Sequence, residues 1–258
     1  MSVRAKKHLG QHFLTDKNIC RKIADQYGSH HTCNRVLEIG PGMGALTSFL
    51  IDRKLDVRVM DVDSESIEYL QQNFPVLHGK IHEADFLNVD LREVMGEEPF
   101  SVVGNFPYNI SSQILFKCID YKDQIPEIMG MFQREVAMRV AEPPGSKQYG
   151  ILSVLLQAYY DIDYCFTVDE RVFHPPPKVK SGVIRCTRNS RTSLPCDEEL
   201  FKKVVKSGFN QRRKTLRNSL KPLFGGTVED HPSLAKRPEQ LSVEDFIELT
   251  QFISNVSK

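Results

Sequence analysis

The run Arg35–Ile39 (RVLEI) is short, mostly apolar, and ends in Gly40-Pro-Gly-Met-Gly44 before passing straight into a helical pattern. A strand that turns through a helix returns to pair with a parallel neighbour, because that crossover is the only economical connection. The helix expected after the turn, roughly Ala45 to Arg53, puts Leu46, Phe49 and Leu50 on one face. The unit then repeats. Val57–Met60 ends at Asp61 and leads to a helix over Ser64–Asn73, with Ile67 and Leu70 inward. Lys80–Ala84 ends at Asp85, Phe100–Gly104 runs into Asn105, and Glu127–Phe132 is a fifth apolar run. Strands alternating with helices predict an α/β fold with a parallel sheet covered on both faces. The carboxyl ends of such strands are where ligands bind.

The second half reads differently. Tyr149–Ala158 is expected to be a buried helix, Tyr159–Val168 an aromatic-rich strand, and Gly182–Thr187 a last strand antiparallel to it. Between those strands, Phe173-His-Pro-Pro-Pro-Lys-Val-Lys-Ser181 is held extended by its prolines. Asn189–Pro195 has linker composition. Beyond it Glu198–Phe209 sets Phe201, Val204, Val205 and Gly208 on one helical face, with Lys202, Lys203 and Lys206 opposite. Ser242 is the expected N-cap of a final helix. Asp245 would close its capping box, and Leu241 with Phe246 its hydrophobic staple. The expected division is therefore an α/β domain over residues 1–187, led by a basic N-terminal arm, and a small all-helical domain over 188–258.

Composition narrows the class. The 258 residues carry 34 Lys and Arg against 33 Asp and Glu, a net charge of +1 that taken whole speaks against nucleic acid. The balance is uneven along the chain: residues 1–187 hold 21 basic and 24 acidic side chains, and residues 188–258 hold 13 and 9. A near-neutral total can thus conceal a basic surface. The six cysteines are scattered without a CxxC pair, so neither a zinc site nor a disulfide framework is expected, and no metal. No apolar stretch approaches a membrane span, and no apolar core follows the basic start as in a secretory signal. A cytoplasmic protein with reduced thiols is expected.

The glycine turn invites a ligand, since it leaves no Cβ in the way. Its order, G-x-G-x-G with Glu38 just before, departs from the G-x-G-x-x-G that cradles a dinucleotide pyrophosphate. An acid so close suits a ligand with a cationic centre and no phosphate there. S-adenosylmethionine, with its sulfonium and ammonium, is such a ligand. Gly40 and Gly42 would let the backbone approach it. Asp61, 21 residues beyond Gly40, stands where a carboxylate accepts ribose hydroxyls, with Val62 beside it. Asp63 reads as a helix cap. Asp85 would accept a hydrogen bond from the adenine amine while the backbone at Phe86 meets the ring edge.

Asn105-Phe-Pro-Tyr108 ends the fourth strand at the same edge. It suits methylation of an exocyclic amine. The N6 lone pair of adenine is delocalised into the ring, and acceptors that hold its two N–H groups pyramidally would localise it. Asn105 Oδ1 and the Phe106 carbonyl are candidate acceptors, Pro107 stiffens the turn, and Tyr108 offers a ring for base stacking. Phe173 is a candidate second stacking face. A base within a helix is out of reach, so the target must be single-stranded, looped or flipped.

Five segments, KKHLGQHFLTD, EIGPGMGALT, NFPYNISS, VFHPPPKVKS and FNQRRKTLRNSL, lie in order between Lys6 and about Leu220. Together they resemble the motif series of the bacterial small-subunit ribosomal RNA adenine dimethyltransferases. The resemblance implies a Rossmann-like class I S-adenosylmethionine-dependent methyltransferase domain. It also implies dimethylation of two adjacent adenosines near the 3′ end of 16S rRNA, with S-adenosylhomocysteine as product. The family's cofactor contacts in LGQHFL fall on His12 and Leu14, with Gln11 adjacent. Its glycine contact falls on Gly40, its ribose acid on Asp61 (usually Glu), its adenine acid on Asp85, and its Asn-Leu-Pro-Tyr on Asn105–Tyr108, with Phe106 in place of Leu.

Two basic patches are candidates for the RNA. Between Lys202 and Lys221 lie eight basic residues and no acid, among them Lys203, Lys206, Arg212, Arg213 and Arg217. Arg4, Lys6 and Lys7 form the other, beside the expected cofactor mouth. Such contacts add affinity without sequence information and suit a folded RNA read by shape. The expected partner is 16S rRNA in the small subunit or its precursor, bound by a monomer, with no membrane partner. Competing readings are a 23S rRNA methyltransferase of the macrolide-resistance type, a non-catalytic ribosome-assembly factor and, more distantly, an NAD dehydrogenase.

Overall fold

The five apolar runs of the first half all form strands, and all five run parallel. In the computed structural model, which describes residues 3–28, 33–224 and 230–256, the chain opens with β1 (Phe13–Leu14), α1 (Lys17–Gly28), β2 (Arg35–Ile39) and α2 (Thr47–Asp52). It continues through β3 (Asp56–Asp61), α3 (Ser64–Asn73), β4 (Ile81–Glu83), α4 (Leu91–Met95), β5 (Ser101–Asn105), α5 (Ser111–Asp120) and β6 (Glu127–Gln133). Then come α6 (Arg134–Ala141), α7 (Ile151–Gln157), β7 (Tyr160–Val168), β8 (Phe173–His174) and β9 (Ser181–Arg188). The last helices are α8 (Glu198–Asn210), α9 (Leu216–Ser219) and α10 (Val243–Val256).

Seven strands make one sheet in the order β4-β3-β2-β5-β6-β9-β7, with β9 antiparallel to β6. The inner strands β2, β5 and β6 are buried along nearly their whole length, as strands covered on both faces are. Register decides what meets at the carboxyl edge. Ile39 pairs with Met60, Asp61 with Glu83, and Asn105 with Met131. The residues that follow β2, β3, β4 and β5 are therefore brought to one end of the sheet. α2 starts two residues later than the pattern predicts, because the chain first closes a turn from the Gly44 N–H to the Pro41 carbonyl.

A second sheet has only two strands, β1 and β8, which pair Leu14 with Phe173 and Phe13 with His174. Two residues are too few to show a period, so this pairing was not foreseen.

The chain forms two compact units. One comprises Met1–Ala137 and Ile162–Arg188, the other Met138–Asp161 and Asn189–Lys258. The sequence suggests a single boundary at 187/188, yet residues 138–161 group with the helical C-terminal part. The physical reason lies in α7, whose Leu152, Val154, Leu155 and Leu156 are all buried. A helix apolar on every side must be enclosed by other elements. Within that unit Tyr149 meets Phe209 edge-on at 6.2 Å, and Phe209 lies 6.0 Å from Phe246 of α10. The capping box on α10 forms as expected: Ser242 N–H donates to Asp245 Oδ2 at 2.8 Å, and Asp245 N–H donates to Ser242 Oγ at 3.1 Å. Among the described residues no helix is long and apolar enough to cross a membrane.

One packing detail bears on the site. Gly104 and Gly130 lie opposite each other on β5 and β6, and the Phe106 ring fills the space their missing side chains leave. A Cβ on Gly130 would overlap that ring. Gly130→Ala should therefore lower stability by about 1–3 kcal/mol through overpacking, read as a lower denaturant midpoint with unchanged slope.

Candidate active site

Gly40 leaves β2 with φ +66°, and Gly42 follows with φ +54°. Both values lie in the left-handed region that glycine alone adopts freely. A Cβ on Gly42 would also come within 2.8 Å of the Phe13 ring. The turn therefore passes close beneath the N-terminal segment. The two enclose a cavity of about 310 Å³, in the range of small-molecule sites.

The carboxylates come from three strands. Asp61, at the end of β3, is buried, and its Oδ1 accepts the Asp63 N–H at 3.0 Å. Burial raises its pKa, while the amides of Asp63, Gly42 and Val62 work against that rise. Val62 is exposed and lines the cavity beside it. Asp85 lines the opposite part. Its Oδ1 accepts from Leu87 N–H at 2.9 Å and its Oδ2 from Asn88 Nδ2 at 2.6 Å. Each carboxylate oxygen can accept twice, so Asp85 keeps capacity for a ligand amine. The Phe86 ring is buried, and Leu87 rather than Phe86 lines the cavity.

Glu38 lies deeper, inside β2. It is 1% exposed, its Oε2 has no hydrogen-bond partner, and burial pushes its carboxyl up to about 8, with the Thr47 hydroxyl and the Asp61 charge as smaller influences. It opens not on the main cavity but on an adjoining one of about 40 Å³, shared with Leu14, Gly40 and Asn105.

Asn105 joins the two cavities. Its Nδ2 donates to the His12 carbonyl at 2.8 Å. A carbonyl only accepts, so the amide must present its NH₂ there, and Oδ1 is left as the free acceptor. The Phe106 carbonyl meets no donor among the described residues, while the Phe106 N–H is tied to the Met131 carbonyl at 3.2 Å. The side chain of Phe106 packs 5.0 Å from Phe132. Phe in place of Leu is thus absorbed by the glycine socket, and the backbone acceptor is preserved. Pro107 and Tyr108 both line the cavity. The Tyr108 hydroxyl shares a 2.5 Å hydrogen bond with the buried Ser181 Oγ, and its ring lies 5.5 Å from the His12 ring, tilted by 32°.

The N-terminal segment completes the wall with Gln11 and His12, and also with Leu9, Gly10 and Phe13, which the sequence did not single out. His12 Nδ1 bonds the Pro175 carbonyl at 2.8 Å, so it carries the ring proton. Asn109 is another cavity residue that was not anticipated; it packs against Gly10 so closely that a Cβ there would come within 2.6 Å of its Oδ1. Membership of the segments KKHLGQHFLTD and NFPYNISS is the only sequence signal for these residues. Ser181 closes the VFHPPPKVKS segment, but nothing in the sequence ties it to Tyr108, 73 residues away.

Besides Glu38 and Phe86, three expected contacts are placed elsewhere. Leu14 turns its side chain into the core and reaches only the smaller cavity. Phe173 is 4% exposed within the same core and does not line the main cavity, so it offers no second stacking face in this arrangement. Lys6, expected on RNA, bonds the Asp63 carboxylate and lies 3.2 Å from Glu65. Asp63 itself caps α3, as predicted.

The C-terminal basic stretch is partly neutralised from outside its own sequence. Arg212 lies 3.8 Å from Glu239 and donates to the Ser146 carbonyl, and Arg217 pairs with Asp230. Lys203, Lys206, Arg213 and Lys214 are exposed without an acidic partner among the described residues, as are Arg4 and Lys7 in the N-terminal arm. No cluster that could hold a metal ion occurs among the described residues.

Comparison with known proteins bears on this geometry. A family model described as ribosomal RNA adenine dimethylase matches residues 2–255. A ribosomal RNA small subunit methyltransferase A of Parabacteroides distasonis is 60% identical over 96% of this chain and 93% of its own. One from Flavobacterium johnsoniae is 57% identical over 97% and 96%. Among solved structures, a dimethyladenosine transferase from Plasmodium falciparum superposes with a TM-score of 0.77 at 22% identity, over 95% of this chain and 98% of the other. The 23S rRNA methyltransferase ErmE gives 0.66 at 26% identity, over 92% and 99%.

The raised Glu38 carboxyl has a consequence for stability. Its pKa stands above that of the unfolded chain, so between about 4.5 and 8 the folded state holds a proton that the unfolded state has lost. Its contribution is full below that window and is lost as pH rises through it. Glu38→Gln, which cannot ionise, should remove this slope: thermal unfolding of the variant should fall less than wild type between pH 5 and pH 8.

Proposed function

Because the chain belongs to the ribosomal RNA adenine dimethylases, we infer that it transfers methyl groups from S-adenosylmethionine to N6 of two adjacent adenosines near the 3′ end of 16S rRNA. The product is N6,N6-dimethyladenosine, formed in the small subunit or its precursor. The reading includes action as a monomer in the cytoplasm, where subunits are assembled. The observation that carries it is the fixed Asn105 amide, whose Oδ1 is freed by the His12 carbonyl beside a second unpaired acceptor at Phe106.

The residues present fit the cofactor. Asp61 would take the ribose hydroxyls and Asp85 the adenine amine. The Gly40 and Gly42 backbone allows close approach. The partnerless Glu38 Oε2, in the small cavity that adjoins the main one at Gly40 and Asn105, is the buried acceptor that the cofactor's ammonium would satisfy. When bound, the cofactor supplies an activated methyl on its sulfonium and leaves as S-adenosylhomocysteine.

The chain's own part is positioning. In the first transfer Asn105 Oδ1 and the Phe106 carbonyl accept the two N–H groups of the target amine, and in the second the one N–H that remains. Each time the lone pair is localised and aimed at the methyl, and the methylated nitrogen then loses its proton to solvent. No strong base is required for that. Pro107 fixes the turn between the acceptors and the stacking ring. Tyr108, braced by Ser181, gives the base a face to rest on, a contact worth about 1–3 kcal/mol. These groups are set before the target arrives, so little reorganisation is needed at reaction.

The test is incubation with labelled S-adenosylmethionine and small subunits that lack these methyl groups. Dimethyladenosine in 16S rRNA is expected by mass spectrometry, and its absence would end the reading. Methylation of naked 23S rRNA, with no response to small subunits, would favour the macrolide-resistance type instead. Asn105→Ala should lower the turnover rate by about a hundredfold or more while cofactor affinity changes by less than about fivefold. Near-normal turnover would remove Asn105 from the chemistry.

For RNA contact, Arg213→Ala should weaken subunit binding and reduce the salt slope by about one. Arg217→Ala should change it less, because Asp230 already holds that guanidinium.

A further inference from the structure

The N-terminal segment walls the cavity, yet little of it is buried before Leu14. The single turn Lys7–Leu9 contains no buried residue. At its far end the segment is held by the β1–β8 pairing and by the Leu14 side chain in the core. At its near end the hold is polar and converges on one carboxylate. Asp63 has a side chain with no exposed surface. Its Oδ1 accepts from Lys6 Nζ and, at 3.2 Å, from the Glu65 N–H. Its Oδ2 accepts from Gln11 Nε2 and from Ser66 Oγ, each at 3.0 Å. Gln11 in turn accepts the Lys6 N–H on its Oε1 at 2.8 Å, closing a ring of contacts. Burial alone would raise the Asp63 carboxyl, but the bonds from Lys6, Gln11 and Ser66 outweigh it and hold it below the usual carboxylate range.

The same residue reaches the cavity floor. The Asp63 N–H donates to Asp61 Oδ1. One turn of chain therefore fixes both the ribose carboxylate and the segment above it. Helix capping needs only the Glu65 and Ser66 bonds; the Lys6 and Gln11 bonds are additional to it. Nor is Lys6 placed to serve a phosphate. It sits between two acids, Asp63 and Glu65, so its charge is already matched.

We propose that Lys6 and Gln11, clasped on the Asp63 carboxylate, are positioning residues that hold residues 9–13 down as the roof of the cofactor pocket and set how fast the cofactor leaves. This rests on reading the pocket as a cofactor site. The clasp is ionic and Lys6 is partly exposed, so salt loosens it. The far end of the segment is apolar and backbone-paired and does not respond to salt in that way. The roof thus opens from its near end, over Asp61 and Val62, while the Asn105–His12 tie stays made.

The experiment follows cofactor exchange with the full-length protein. Labelled S-adenosylmethionine is bound, chased with unlabelled cofactor, and its dissociation followed in low and high salt. Affinity is measured in parallel by calorimetry. Lys6→Met should speed dissociation about five- to tenfold at low salt, the low end for a charged hydrogen bond in partial contact with solvent. It should also abolish the acceleration that salt produces in the wild type. Lys6→Arg should restore both, and Gln11→Leu should move dissociation in the same direction as Lys6→Met with no change in unfolding temperature. Small-subunit affinity and its salt slope should be unchanged by Lys6→Met. Wild-type dissociation in Lys6→Met, with a reduced salt slope for subunit binding, would make Lys6 an RNA contact and overturn the proposal. A wild-type protein that binds no S-adenosylmethionine would instead overturn the reading of the pocket.

Discussion

The backbone register of the parallel sheet is the constraint on which the site depends. β2 lies between β3 and β5, and β4 continues the order outward. Gly40, Asp61, Asp85 and Asn105 come from four separate strand ends, yet hydrogen-bonded pairing sets them along one edge. A slip of one residue in β3 would turn Asp61 to the other face and bury it without its Gly42 and Asp63 amides. The near-continuous burial of β2, β5 and β6 guards against that, because every shifted residue would have to repack on both faces.

Upon this frame the groups proposed to meet the substrate are held by donors and acceptors that leave little freedom. Asn105 cannot rotate its amide without facing one carbonyl oxygen with another. Tyr108 is fixed through a hydroxyl on β9, the antiparallel strand at the other side of β6. The Phe106 side chain is locked by glycines on two strands, so its carbonyl cannot swing. Three residues in sequence are thus braced by the N-terminal segment, a distant strand and the sheet interior. That is a suitable arrangement for chemistry that relies on orientation more than on acid or base strength.

How much of this was legible in the sequence depended on the range of each interaction. Strand ends, the glycine turn and the α10 capping box are local patterns, and they fell within a residue or two of where the sequence put them. The Asp63 cap was legible for the same reason. Phe173 was not, because an aromatic beside prolines reads alike whether it faces a cavity or a core, and only the pairing of β8 with β1 buries it. Residues 138–161 were misplaced because an apolar helix carries no address. It must be enclosed, but the sequence does not say by which partners. Ser181 and the Lys6 clasp depend on contacts across 73 and 57 residues, for which spacing offers no signal.

Charge shows the same limit most clearly. Counted along the chain, Lys202 to Lys221 holds no acid, which argues for an open basic face. Counted in space, Glu239 stands beside Arg212 and Asp230 beside Arg217, both supplied by chain beyond that window. The arm behaves likewise, since Lys6 is matched by acids nearly sixty positions away. A cation already paired with an acid must give up that partner to meet a phosphate, so it adds less to an electrostatic grip on RNA. Of the arm and of the Lys202–Lys221 stretch, the exposed cations without an acidic partner among the described residues are therefore fewer than the sequence count suggests: Arg4 and Lys7 in the arm, and Lys203, Lys206, Arg213, Lys214 and Lys221 in the helical part. Segmental charge shows that a basic surface exists, but only the pairing shows which of its cations remain free to bind.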